Sequence, residues 1–136
     1  MIFEATVSHI SVDEEGYVKC IKERYVVDDK ELFSEVEEML LTKFSELNEV
    51  DIPTIKRSKV REIANKRATP REHIWLATLA DTFIDENGVE KETKYAIYIF
   101  ADGIDEALKR VLAYMEQGYD MHLVQLKETK IVDVLQ

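Results

Sequence analysis

The chain carries one stretch of sequence twice. Residues 2–16, IFEATVSHISVDEEG, align without gaps on residues 74–88, IWLATLADTFIDENG, and six of the fifteen positions are identical. Self-similarity constrains a fold strongly, because whatever structure one half adopts the other is expected to adopt too. Each stretch ends in a D-E-x-G segment, at residues 13–16 and 85–88. After each comes a run rich in β-branched and aromatic residues, KCIKERYVV and KETKYAIYIF. Turn residues between two such runs predict a β-hairpin at the head of each half.

A helical period follows each hairpin. In the first half Leu32, Phe33, Val36, Met39, Leu40, Phe44 and Leu47 recur at three- and four-residue spacing. In the second half the corresponding set is Ile104, Ala107, Leu108, Val111, Leu112 and Met115. A stripe at this spacing predicts an amphipathic helix with that face in the core. Asp28 or Asp29 and Asp102 stand where N-caps belong, and Gly118 where the second helix would stop. Each half then closes with one more strand, residues 55–64 (IKRSKVREIA) against residues 126–135 (LKETKIVDVL). The expected class is α+β, an internal duplication of two ββαβ units within one domain of 136 residues. Unit boundaries fall at residues 1–64 and 73–136 with a linker at 65–72. The units would share one sheet with two helices packed on it, or form a half-open barrel.

Charge narrows the partners. The formal net charge of -10 opposes approach to nucleic acid or to an anionic membrane surface, so non-specific binding to either polyanion is not expected. No apolar run is long enough to span a bilayer, and MIFEATVSHI lacks the basic-then-apolar order of a signal peptide. A cytoplasmic protein is expected, consistent with a single cysteine, Cys20, that can form no intrachain disulfide and cannot build a cysteine zinc site. Cys20 has no nucleophile motif around it and reads as a half-buried strand residue. His9, His73 and His122 show no metal-ligand spacing, and four glycines supply neither a P-loop nor G-x-G-x-x-G. No metal or cofactor is expected. Asp81 and Asp85 sit by a turn and read as solvated.

Against this acidic background, residues 55–73 hold seven of the eighteen Lys and Arg residues. Comparing the halves separates shared features from particular ones. Lys56 and Lys59 match Lys127 and Lys130, whereas Arg57 matches Glu128 and Arg61 matches Val132. Alternate strand residues share a face, so Arg57, Lys59 and Arg61 would stand in one row at intervals of roughly 6 to 7 Å. That interval suits successive phosphates, and the planar guanidinium fork suits bidentate contact with each. Lys66, Arg67 and Arg71, on the loop that follows, could close over such an anion, with Asn65 and Thr69 as neutral donors and Pro70 as a stiffener. His73 beside them could donate a proton. Trp75 reads as a core aromatic, or, if exposed, as a stacking platform for a base.

Four segments, RYVVDDKELFSEVE, DIPTIKRSKVREI, IWLATLADTFIDENGVEKETK and ETKIVDVL, give nearly the whole chain a resemblance to a family of small proteins of Bacteroidetes and their phages, known only as a domain of unknown function. In that family a Trp commonly opens both halves; here Trp75 opens the second and Phe3 the first. The resemblance implies a bacterial or phage-infected cytoplasm and lends no catalytic residues, none being established for the family. In that setting the expected function is non-enzymatic: a homo-oligomer that captures an anionic, phosphorylated nucleotide-like small molecule at Arg57, Lys59, Arg61, Lys66, Arg67, Arg71 and His73. A phage protein of this kind could act as an anti-defence sponge for a host immune signal. Two alternatives stand beside it: an assembly module whose basic segment is a protein interface, and a small nucleotide hydrolase with His73 as acid or base.

Overall fold

A computed structural model describes residues 1–116 and 121–136. In chain order the elements are β1 (Phe3–Val12), β2 (Val18–Val27), α1 (Phe33–Lys43), β3 (Asn48–Arg57), β4 (Glu62–Ile63), β5 (His73–Ile84), β6 (Glu90–Ala101), α2 (Ile104–Met115), β7 (Met121–Glu128) and β8 (Ile131–Leu135). The mixed α/β class is as read from the sequence. The strands form two four-stranded sheets, ordered β3-β1-β2-β8 and β4-β6-β5-β7, instead of one shared sheet, and neither closes into a barrel. The chain divides into two compact units, Met1–Ser58 with Lys130–Gln136, and Lys59–Thr129. Residues 65–72 belong to the second of these.

Both hairpins form where the turn chemistry placed them, β1 with β2 and β5 with β6. The two turns are built alike. Asp13 Oδ1 accepts the N–H groups of Glu15 and Tyr17 at 2.9 Å, and Asp85 Oδ1 accepts those of Asn87 and Val89 at 2.9 Å. Gly16 and Gly88, at φ 86° and 77°, occupy the left-handed position that closes each turn. Lys91 Nζ lies 3.3 Å from Asp85 Oδ2. The Val89 amide and that ammonium hold the Asp85 carboxyl below its ordinary range, against a smaller desolvation effect.

Alternation along the strands defines each core. In the first unit Phe3, Ala5 and Val7 of β1 and Tyr25 and Val27 of β2 pack against Val36 and Leu40 of α1, with Leu135 of β8 completing the cluster. In the second, Trp75, Ala77 and Leu79 of β5 and Ile97, Ile99 and Ala101 of β6 receive Ala107 and Val111 of α2. The helical stripes are only partly buried. Leu32 and Phe33 in the first unit, and Ile104, Leu108 and Leu112 in the second, lie exposed, because a single sheet covers a narrower arc than the apolar pattern spans, and Leu47, also exposed, falls past the end of α1 at Lys43.

The caps also differ from expectation. The α1 N-cap is Leu32, whose N–H donates to Glu35 Oε1 at 3.2 Å, and the α2 N-cap is Gly103, at φ 153° and ψ 172°. Asp28, Asp29 and Asp102 therefore cap neither helix. Gly118, expected to end α2, lies outside the described residues.

The closing strands are where the structure departs most from the sequence reading. Neither is continuous. The first breaks after Arg57 and the second after Glu128, and at the break Ser58 N–H donates to Ile2 O at 2.9 Å and Thr129 N–H to Ile74 O at 3.0 Å. Past that bend each segment joins the sheet built around the other half's hairpin. β4 runs parallel to β6, with Glu62 opposite Ile97, and β8 runs parallel to β2, with Leu135 opposite Val27. A strand pattern in sequence specifies an extended backbone, not the sheet that it joins, so this crossing leaves no mark in the alternation.

Candidate functional site

The bend after Arg57 removes the expected row of cations. Arg57 ends β3 in the first unit, where its guanidinium carbon sits 5.9 Å from the centroid of Phe33. Lys59 and Arg61 follow the bend and are not on a strand. Arg61 N–H donates to Ala96 O at 2.8 Å, and its guanidinium stacks on Tyr95, 3.5 Å from the ring centroid. Lys59 is exposed.

From Arg61 the chain follows β6 toward its C-terminal end. Ala64 N–H donates to Tyr98 O at 2.9 Å. At the next step the Asn65 side chain takes over the pairing: its Nδ2 donates to Phe100 O at 3.0 Å, and its Oδ1 accepts Phe100 N–H at 2.7 Å. Asn65 thus has its Oδ1 and one Nδ2 hydrogen engaged on the sheet. Arg67 lies over the Phe100 ring, 5.2 Å from the centroid. Tyr95 and Phe100 are five residues apart on a strand, so Arg61 and Arg67 are roughly 17 Å apart. Arg61 therefore stands well away from the loop cations.

What the structure does gather is one loop. Residues 65–72 turn back at Thr69, whose carbonyl accepts Glu72 N–H at 3.2 Å, with Pro70 at the second turn position where its fixed φ fits. Glu72 is the anchor. It is almost fully buried, and its Oε1 accepts Ala68 N–H at 2.5 Å and Thr69 N–H at 3.3 Å. Its Oε2 meets Arg110 Nη1 of α2 at 2.6 Å. Arg110 also donates to Phe100 O at 2.5 Å and pairs with Glu106. The Ala68 amide, then the Arg110 and Thr69 donors, hold the Glu72 carboxyl below its usual range despite the opposing effect of burial. Thr69 contributes its backbone amide to this anchor.

Above the anchor, Lys66, Arg67 and Arg71 are exposed. His73 opens β5, also exposed, with Nδ1 3.6 Å from Glu128 Oε1. The loop is therefore a fixed scaffold carrying cations outward, its shape set by groups that point inward. The linker read from the sequence, 65–72, contains Glu72, but neither Glu72 nor Arg110 is among the candidate residues that the sequence offers. Two signals were present: Thr69-x-x-Glu72 has the spacing of a side chain reaching back to backbone amides, and Arg110 sits on α2 where α1 has Met39.

Other candidate chemistry falls away. Trp75 is buried and its Nε1–H donates to Ala101 O at 3.1 Å, so the indole is core and offers no stacking face. Cys20 is exposed, contrary to the half-buried expectation, with Sγ 3.4 Å from Ser8 Oγ. His9 is buried against Glu23 Oε1 at 3.3 Å. Burial and the bond to Glu62 raise the Tyr114 phenol, which opposes a role as nucleophile or base. Among the described residues no group of three or more His, Cys, Asp or Glu could hold a metal ion, and no helix is long and apolar enough to cross a membrane. In the first unit an open groove of about 730 Å³ between α1 and β8 sets Lys30 and Lys43 against Glu35, Glu38 and Asp133, and so offers an anion no excess of positive charge.

Comparison with known proteins agrees with the resemblance in its general form. The chain belongs to the family described as domain of unknown function (DUF4494), whose model matches residues 1–136. No curated protein and no solved structure matches it.

Proposed function

We propose that the protein is a non-enzymatic binding protein that captures a multiply charged anion on the loop at residues 65–73, through Lys66, Arg67, Arg71 and His73. The observation that carries this reading is the buried Glu72 carboxylate, paired with a partly exposed Arg110, beneath a run of exposed cations. Burying a carboxylate is costly unless it is fully bonded, and here the bonds it makes fix the backbone of the loop. A loop held in shape before binding loses less entropy when a ligand arrives. Neither Lys66 nor Arg71 forms an ion pair among the described residues. A phosphorylated, nucleotide-like molecule supplies the matching charge, with recognition through phosphate in place of a base, since Trp75 is enclosed. Capture without turnover would make the protein a sponge for such a molecule.

The test is calorimetric titration at low salt with two probes, inorganic tripolyphosphate and adenosine triphosphate. Saturable binding of both with similar affinity, weakened at least tenfold in the Lys66→Glu/Arg71→Glu variant, supports the reading. Absence of binding, or binding unchanged in that variant, overturns it. Exposure of every residue from 66 to 71 favours a second reading, an acidic protein surface as the partner. In that case poly-glutamate competes for the loop where neither polyphosphate binds.

A further inference from the structure

The second helix carries an apolar stripe that its own unit leaves uncovered. Ile104, Leu108 and Leu112 recur at i, i+4, i+8 on α2 and are 52%, 40% and 48% exposed. The core contacts of the same helix fall to Ala107 and Val111, which are fully buried. The stripe is thus a shoulder beside the packed face. On α1 the corresponding positions are Phe33, Glu37 and Leu41, so a carboxylate interrupts the stripe there. The uninterrupted version belongs to α2 alone.

We propose that this stripe is a self-association surface on which α2 of a second copy of the chain docks antiparallel, with a two-fold axis through Leu108. The occupant is argued from complementarity. In an antiparallel pair centred on Leu108, that residue meets its own symmetry mate and Ile104 meets Leu112 of the second copy. At about 1.5 Å rise per residue the stripe is roughly 12 Å long. The charges flanking the stripe complete the match. Asp105 and Lys109, both exposed, lie on its outer edge. The same two-fold sets Asp105 within about 3 Å, measured along the axis, of the level of Lys109 in the second copy. The pair occurs twice by symmetry. A surface on which every residue meets its complement when rotated onto itself is the signature of an isologous interface. Three apolar side chains per copy make a small contact, below the roughly 1,200 Å² of stable complexes, so the dimer is expected to form reversibly.

Sedimentation velocity on the full chain, at concentrations from about 10 μM to about 1 mM, tests the proposal. The wild type is expected to shift from monomer toward dimer, and Leu108→Glu to require at least tenfold more protein for the same shift. A wild type that stays monomeric throughout overturns it, as does a dimer indifferent to Leu108→Glu. Placement of the axis is tested separately by Leu108→Cys in a Cys20→Ser background. Mild oxidation should give a disulfide-linked dimer, and failure to cross-link overturns the antiparallel arrangement. Should Leu108→Glu fold poorly by circular dichroism, Asp105→Lys should weaken the dimer and Asp105→Lys/Lys109→Asp should restore it. Lack of restoration overturns the charge match.

Discussion

Replacing Glu72 by glutamine separates a positioning role from a purely electrostatic one. The amide keeps an oxygen facing the Ala68 and Thr69 N–H groups but gives up the charge-assisted bond to Arg110, 2.6 Å in the wild type. Bonds to charged partners contribute roughly 1.5–3 kcal/mol, and Arg110 is partly exposed to solvent screening, so the expected loss of stability is about 1–2 kcal/mol. Glu72→Ala also strands two amides and should lose about 3 kcal/mol. Urea unfolding measures both. Amide exchange at Ala68 and Thr69 should rise in the alanine variant to that of an open loop. The sharper test is the sign of the change in anion affinity. Removing a negative charge from beneath the loop should, by Coulomb's law alone, tighten anion binding by about 0.4 kcal/mol at roughly 10 Å in a water-like medium. Loosening the loop should weaken it. Tripolyphosphate that binds Glu72→Ala as tightly as the wild type, or more tightly, would refute the argument that the Glu72–Arg110 pair organises the site.

The pH dependence follows from the shifted groups. The lowered Glu72 and Asp85 carboxyls contribute stability that is present above the ordinary carboxylate range and is lost as pH falls through their folded values, so acid unfolding should be shallower in Glu72→Gln. On the alkaline side, burial and then Glu23 and Asp133 push Tyr25 up to about 12; stability present below about pH 10 is lost as pH rises toward 12, and Tyr25→Phe should remove that limb in a pH series of urea melts. The sole tryptophan, Trp75, is buried, so its emission should be blue-shifted, resist iodide quenching and stay unchanged when an anion binds the loop. Ending the chain after Lys130 removes β8 with Ile131 and Leu135, and should speed amide exchange in β2 while leaving the β5 and β6 amides protected.

Legibility in the sequence tracked how local each cause was. The hairpins could be read because their turns are fixed within five residues, by Asp13 with Gly16 and by Asp85 with Gly88. The helices could be read from period alone, but not how far around each one the core extends. Leu40 and Val111 are enclosed while Leu108 and Leu112, equally apolar, are not, and only the width of the sheet below decides which. The cationic stretch was visible as composition. Its geometry was not, because IKRSKVREIA alternates equally well whether it stays with β1 or leaves for β6. Arg57 and Arg61 were read as neighbours on a face and are divided by a bend that depends on Ile2, far away in the chain.

That bend also explains why the candidate site lies in one unit only. Both units receive a crossing strand, but β8 pairs with β2 as far as Leu135, whereas β4 has two paired residues and then departs. Asn65 makes the departure possible. Its side-chain amide satisfies both backbone groups of Phe100 that a continuing strand would have paired, so the main chain is released without orphaning the sheet edge. The released backbone needs its own partners, and Glu72 supplies an acceptor for Ala68 and Thr69. Burying that carboxylate in turn requires a cation, which Arg110 provides from a helix position held by Met39 in the other unit. Each step answers a polar group left over by the one before. The chain of compensation ends with Lys66, Arg67 and Arg71 outside, on a loop whose inward-facing bonds are already made.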